Sequence, residues 1–434
     1  MGIEAGSSSN GLQPPPTEDS PLLPVQPILS SLPKTFANVL IAIIGAGVLG
    51  LPYLFKKTGW VLGLLLLLFV SILTYHCMML LIQTRRKLES LNDFSKIKSF
   101  GDLGFVVCGN LGRISVDAMI VLSQAGFCVG YLMFIANTLV YLFNSGEPPI
   151  PAAASVNVIR SEMILGIKPK SFYIWSAFPF QLGLNSIPTL THLAPLSIFA
   201  DIVQIGAMGV VMFEDVLVIL QQHHVLKTFG DLSVVFYGLG VSVYAFEGIG
   251  MALPLESEAK DKDKFGKVLG LSMGFISLTY ASFGALGYFS FGDDTKDIIT
   301  TNFGKGLVSC IVQLALCINL FFTFPLMMNP VYEVFERRFS DGRYCLWLRW
   351  IVVLGVSIVA LLVPNFADFM SLVGSSVCGI LGFVLPALFH LLTFKEDMQR
   401  GVKILDIVIV SFGAILAITG TWSSIVQIFF SVDA

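Results

Sequence analysis

Two runs of this chain place reactive or bare polar groups inside apolar surroundings. The first is Ile44-Gly45-Ala46-Gly47-Val48-Leu49-Gly50-Leu51-Pro52, and the second is Phe246-Glu247-Gly248-Ile249-Gly250-Met251-Ala252-Leu253-Pro254. Each puts small-x-Gly ahead of a proline inside a segment long enough to cross a bilayer. Glycine lets a helix unwind without steric cost, and unwound backbone in hydrocarbon is tolerated only where it lines a protected cavity. Where a helix breaks, the N-terminus of the second half offers unpaired N–H groups and partial positive charge, suited to a carboxylate. The carbonyls released at the end of the first half suit an ammonium or a cation. A zwitterion presents both partners at once, so Gly45, Ala46 and Gly47 are assigned to a carboxylate, and Phe246, Glu247, Gly248 and Ile249 to an ammonium and its side chain. Glu247 is the sharpest candidate, because a carboxylate at membrane depth is costly and marks function. It can pair with an amine, carry a proton, or cap the free N–H groups of the turn.

The elements that must hold these runs are membrane helices. The 434 residues are 55% hydrophobic and 13% charged, with a mean hydropathy of +0.81, which describes a polytopic membrane protein. A net charge of -3 argues against nucleic acid as a partner. The seven cysteines show no CxxC or Cys/His cluster, so no metal or other cofactor is expected.

Apolar windows of about 20 residues predict eleven spans near 35–55, 59–83, 114–143, 172–190, 195–219, 231–253, 268–291, 306–332, 348–363, 366–392 and 404–431. Residues 1–33 form a polar, proline-rich tail in which Glu18, Leu22 and Leu23 make an acidic dileucine pattern of the kind sorting adaptors read; an ordinary acidic tail is the plainer alternative. Eighteen of the 26 Lys and Arg residues fall on the side of the N-terminus and eight on the other, so the positive-inside rule predicts a cytosolic N-terminus. The glutamate- and lysine-rich run from Glu256 to Lys267 reads as a solvated cytosolic loop, and Trp347 and Trp350 beside Arg349 as interface anchors.

The two interrupted spans are the first and the sixth, and they start on opposite sides. That is the offset of two inverted five-helix repeats, about 34–219 and 231–392, with 404–431 as an extra helix. The predicted fold class is therefore an all-α polytopic membrane protein with a LeuT-like 5+5 inverted repeat.

Other polar residues in the spans carry two readings each. His76 is a packing histidine or a proton-relay member. Gln124 and Tyr131 lie seven apart on one face of the third span, where they line a cavity or pack against a neighbour. Asn319 and Thr323, one turn apart in the eighth span, hold a cation or bond to another helix. Asp117, Asp201 and Asp368 receive no role.

The sequence resembles the amino acid/auxin permease family. The likeness rests on Gly45 to Pro52, on Tyr75-His76-Cys77-Met78, on Gln124-Ala125-Gly126-Phe127-Cys128, on Leu196 to Ala200, on Phe246 to Glu256 and on Ser371 to Ser375. Within that family it is similar to plant vacuolar amino acid transporters and animal proton-assisted ones. The resemblance implies carriage of small neutral amino acids, with protons rather than sodium as the coupling ion, across a vacuolar or lysosomal membrane, the plasma membrane being the alternative. One departure concerns coupling: the proton-assisted members carry a histidine seven residues before the first glycine of the break, and this chain has Asn38 there. An amide cannot titrate between pH 5 and 8, so Glu247 or another group takes the proton, or the carrier is an uncoupled facilitator. A membrane amino acid sensor or scaffold using the same site is the reading from another class. No catalytic motif supports an enzyme.

Overall fold

The computed structural model describes residues 29–91, 97–144, 167–188, 194–222, 224–304 and 306–430. Glu18, Leu22 and Leu23, the candidate sorting signal, lie outside the described residues. Each of the eleven predicted spans contains helix among its described residues. Among the described residues, eight helical stretches, two of them interrupted by a 3₁₀ or π turn, are long and apolar enough to cross a membrane. The first span is a pair bent by 52°, and the fourth and ninth are 17-residue helices, Pro169–Asn185 and Leu346–Leu362. Seventeen residues reach about 26 Å, just short of the roughly 30 Å hydrocarbon core.

The first span consists of α1 (Leu32–Ile43), a 3₁₀ turn at Ala46–Gly50 and α2 (Leu51–Thr58). Next come α3 (Trp60–Leu91), α4 (Phe100–Asn144), α5 (Pro169–Asn185) and α6 (Ala194–Gln221). The sixth span repeats the design of the first: α7 (Val235–Ala245), a 3₁₀ turn at Ile249–Met251 and α8 (Ala252–Glu258). The chain continues through α9 (Lys262–Phe291), α10 (Leu307–Phe339) and α11 (Leu346–Leu362). The tenth span is α12 (Phe366–Val373), two π turns at Gly374–Cys378 and Ile380–Val384, and α13 (Leu385–Thr393), and α14 (Arg400–Phe430) ends the described chain.

Proline sits in the first turn of α1 and α5, the helical position where a missing N–H costs nothing. Asp261 caps α9 by accepting from the Lys264 N–H at 3.3 Å. The third span departs from its expected boundary. Its helix begins at Phe100 rather than near 114, and turns sharply at Gly109 (φ 65°). Asp102 and Arg113, whose charges excluded this stretch from an apolar window, pair with each other at 3.1 Å at the helix start.

The tenth span is the pivot of the packing. A Cβ built on Gly374 would lie 1.9 Å from the Gly240 carbonyl oxygen, and one on Gly240 would lie 2.5 Å from the Ser371 carbonyl oxygen. No side chain fits at either place, so α7 and α12 touch backbone to backbone. Small residues that permit such approach are how membrane helices associate.

Candidate functional site

The two breaks meet. A Cβ on Gly47 would lie 2.9 Å from the Ala245 Cα, and one on Gly248 would lie 2.8 Å from the Ile43 side chain. The end of α1 thus faces the second break, and the first 3₁₀ turn faces the end of α7. Ala46, Gly47, Phe246 and Ile249 are all buried.

The first intrahelical bond after the first break runs from the Val48 N–H to the Gly45 carbonyl, 3.4 Å. The amides of Gly45, Ala46 and Gly47 therefore precede the ladder, as the first N–H groups of any helix do. The Met251 N–H to Gly248 carbonyl bond, 3.0 Å, places Gly248, Ile249 and Gly250 in the same position at the second break.

Glu247 is half-buried beside this second set, its carboxylate facing the Ile249 amide and the Cys378 thiol of the first π turn. That geometry suits a cap on the turn, and it leaves the carboxylate at the meeting point of the breaks. Wide π turns recur at functional sites, and here one supplies the wall opposite Glu247.

Sequence reasoning did not single out Tyr280 of α9. Its hydroxyl donates to the Ile43 carbonyl at 3.1 Å, one of the acceptors released where α1 ends, and its ring lies 5.1 Å from that of Phe246. Tyr131 is buried and lies beside Tyr244 of α7. Tyr244 in turn packs edge-on against Phe127 at 4.8 Å. Gln124 is half-buried on the same helix, two residues from Gly126, which meets Val373.

The other coupling candidates separate. Asn38 is half-buried in α1. Asn319 donates to Gln204 of α6 at 3.0 Å, and Thr323 donates to the Asn319 side-chain oxygen at 3.0 Å, so this pair ties α10 to α6. His76 is half-buried in α3, with Asp406 of α14 and His390 of α13 within electrostatic range. Those last two form a buried pair, Nδ1 to Oδ2, at 2.6 Å. Among the residues without an assigned role, Asp117 pairs with Arg337 at 2.6 Å. Arg349, read as part of an interface anchor, is buried against Glu336 at 2.7 Å.

Each end of the broken spans is closed by polar contacts. At the α1 end, Glu256 is not in a solvated loop; it is fully buried and ion-paired to Arg85 and to Arg86, the latter at 2.9 Å. Arg85 also donates to the Leu253 carbonyl at 3.1 Å. The chain entering α1 pairs with the end of α8 through Ser30 N–H to Glu258 O and Lys260 N–H to Ser30 O, 2.8 and 3.1 Å. At the opposite end, Asp297 in the α9–α10 connection accepts from the Phe366 N–H at 3.2 Å and the Ile298 N–H at 3.1 Å, and so caps α12 from another segment. Asp368 one turn on accepts from Asn365 at 2.9 Å. Burial raises the Asp297 pKa, the two backbone donors oppose that rise, and Asp368 adds to it.

Residues 29–426 match the family described as transmembrane amino acid transporter protein. The chain belongs to that family. It is 65% identical over 430 residues to amino acid transporter AVT3C of Arabidopsis thaliana, covering 98% of both chains. It is 36% identical to amino acid transporter ANT1 of the same plant, over 91% of this chain and 92% of that one. Vacuolar amino acid transporter 3 of Saccharomyces cerevisiae is 25% identical over 92% of this chain and 57% of its own length. Among solved structures, MhsT in complex with L-phenylalanine superposes with a TM-score of 0.53 at 12% identity, over 90% of this chain and 98% of that one. That likeness establishes the LeuT-like fold. This family member is an integral membrane transporter, not an enzyme.

Proposed function

We propose that this transporter moves small neutral amino acids across the vacuolar membrane by alternating access, with protons as the coupling ion. The observation that carries the reading is the contact of the two breaks, Gly47 on Ala245 and Gly248 on Ile43. In this reading the amides of Gly45, Ala46 and Gly47, which precede the helical ladder, and the second break's Glu247 offer complementary partners to a zwitterion's carboxylate and ammonium. Such recognition leaves the side chain to the walls, and the buried Ala46, Phe246 and Ile249 favour a compact apolar one. The vacuolar name of the yeast relative favours the compartment, and the basic-residue asymmetry favours a cytosolic N-terminus, which leaves the tail's dileucine pattern within reach of an adaptor.

Glu247 is the proposed proton carrier, since Asn38 cannot titrate there. Purified protein in liposomes would be given labelled alanine, proline and glutamine with pH and sodium gradients imposed separately. The expected result is uptake driven by the pH gradient and indifferent to sodium. Glu247→Gln should abolish that drive and retain exchange of amino acid for amino acid; pH-driven uptake that survives in the variant excludes the carrier role. Transport that equilibrates without responding to either gradient identifies a facilitator instead.

A further inference from the structure

Away from the breaks, α6 carries Asp215. It is fully buried, at 0% exposure, within a segment apolar enough to cross the membrane. Neither of its carboxyl oxygens has a hydrogen-bond donor among the described residues. Its polar neighbour is Ser290 of α9. The Ser290 hydroxyl directs its single proton to backbone carbonyls, Asp215 O at 2.9 Å and Leu286 O at 2.8 Å. Ser290 is thus the one side-chain donor beside the carboxyl among the described residues, and the carboxyl competes with two carbonyls for its single proton.

This arrangement discriminates between the two forms of the side chain. A carboxylate accepts and never donates, so it would depend on a hydroxyl proton that two carbonyls also claim, buried in an apolar segment where an uncompensated charge is costly. A carboxylic acid carries no charge to bury and leaves the Ser290 proton to the carbonyls. The surrounding groups do not change this balance. Glu214 on the same helix is a like charge, and α10 brings Val308, Val312 and the Ser309 hydroxyl to the space next to Glu214. Further along, His224 packs on Gly292 just past α9, and Lys227 pairs with Asp293 at 3.1 Å, its side chain well exposed.

We infer that Asp215 is a second proton-binding site of this transporter, occupied in the conformation described here and positioned at the α6–α9 contact near the end of the molecule where α9 meets the α9–α10 connection. The inference rests on the transport reading for its purpose, since a proton held between two helices is released only if they separate and admit water. Its physical content, a protonated buried carboxyl, stands apart from what is transported.

Protonation is therefore tested without transport. An apolar carbodiimide modifies carboxyl groups that are both protonated and in apolar surroundings, and peptide mass spectrometry assigns the adduct. Wild-type protein in lipid nanodiscs should carry an adduct on Asp215, distinguished from Glu214 by fragmentation, and the adduct should decline as the buffer is made alkaline. Asp215→Asn should lose it while keeping the adduct on Glu247. Absence of label on Asp215 at every pH at which Glu247 is labelled overturns the inference. In liposomes Asp215→Asn should retain amino acid exchange and lose part of the pH dependence of uptake; a variant with the wild-type pH profile also overturns it. If Asp215 is labelled but no amino acid is transported by wild type, the transport reading fails and the proton site stands.

Discussion

At the scale of single residues, the break in the first span is held by a group from another helix. A carbonyl released by unwinding in an apolar interior costs about 1–3 kcal/mol if left unpaired, and Tyr280 pairs the one on Ile43. Tyr280→Phe keeps the ring contact with Phe246 and removes the hydroxyl's bonds to the first break, to the Ile43 carbonyl and to the Gly45 backbone. The expected outcome is a stability loss of about 1–3 kcal/mol together with altered substrate affinity, measured by thermal unfolding and by the concentration dependence of alanine exchange. A loss of stability with unchanged affinity would place Tyr280 outside the substrate site. Glu247 and Tyr280 differ in how they show in a sequence. Glu247 stands out because a charge at membrane depth is rare, whereas Tyr280 is one aromatic among several in α9 and acquires its role only when the fold sets it against a carbonyl 237 positions away.

At the scale of elements, two latches flank the breaks. On the α1 side, Glu256 joins α8 to the arginines of α3. Removing one partner of a buried pair leaves the other charge uncompensated, at about 3–5 kcal/mol. Glu256→Gln should therefore weaken closure of this face, and a cysteine introduced at Leu253 should react faster with a water-soluble maleimide in that variant than in the unaltered background; equal rates would mean that the pair does not hold the face shut. On the other side, Asp297 caps α12 from the α9–α10 connection, with a pKa raised by burial. An acid whose folded pKa lies above its unfolded value binds more protons when folded, so closure is favoured below the unfolded value of about 3.9. That contribution is lost as pH rises through the folded value. Wild type should lose stability across this window on alkalinisation, and Asp297→Asn, neutral throughout and still able to accept from Phe366, should remove that component from the stability–pH curve. The latches show what a sequence hides. Glu256 opens a charged run and so reads as a solvated loop, because composition cannot reveal arginines 170 positions earlier that bury it. The start of α4 is missed for a related reason: Asp102 and Arg113 count against an apolar window, although pairing lets the helix hold them.

At the scale of the whole molecule, the LeuT-like arrangement was legible because its determinants are local. A broken span needs glycine at the break, the hydropathy pattern locates the remaining helices, and span parity sets the offset between the two breaks. The packing that turns these helices into a machine, such as Gly374 on Gly240, is a matter of which glycines meet, and that lies beyond any local pattern. The proposed coupling also has a limit set by energy rather than by structure. A proton moving down one pH unit releases about 1.4 kcal/mol, and concentrating a neutral amino acid tenfold requires about the same. With the membrane potential clamped at zero, one-for-one symport should hold alanine at no more than about a tenfold gradient per pH unit. Each 100 mV of favourable potential adds about 2.3 kcal/mol, and so should raise that ceiling by a further factor of about fifty. If Asp215 and Glu247 both carried protons in each cycle, the clamped ceiling would instead be about a hundredfold per pH unit. Measuring steady-state alanine accumulation in liposomes against imposed pH difference therefore counts the protons. A slope of zero marks a facilitator, a slope of one decade per unit a single carrier, and a slope of two decades the joint use of both carboxyl groups.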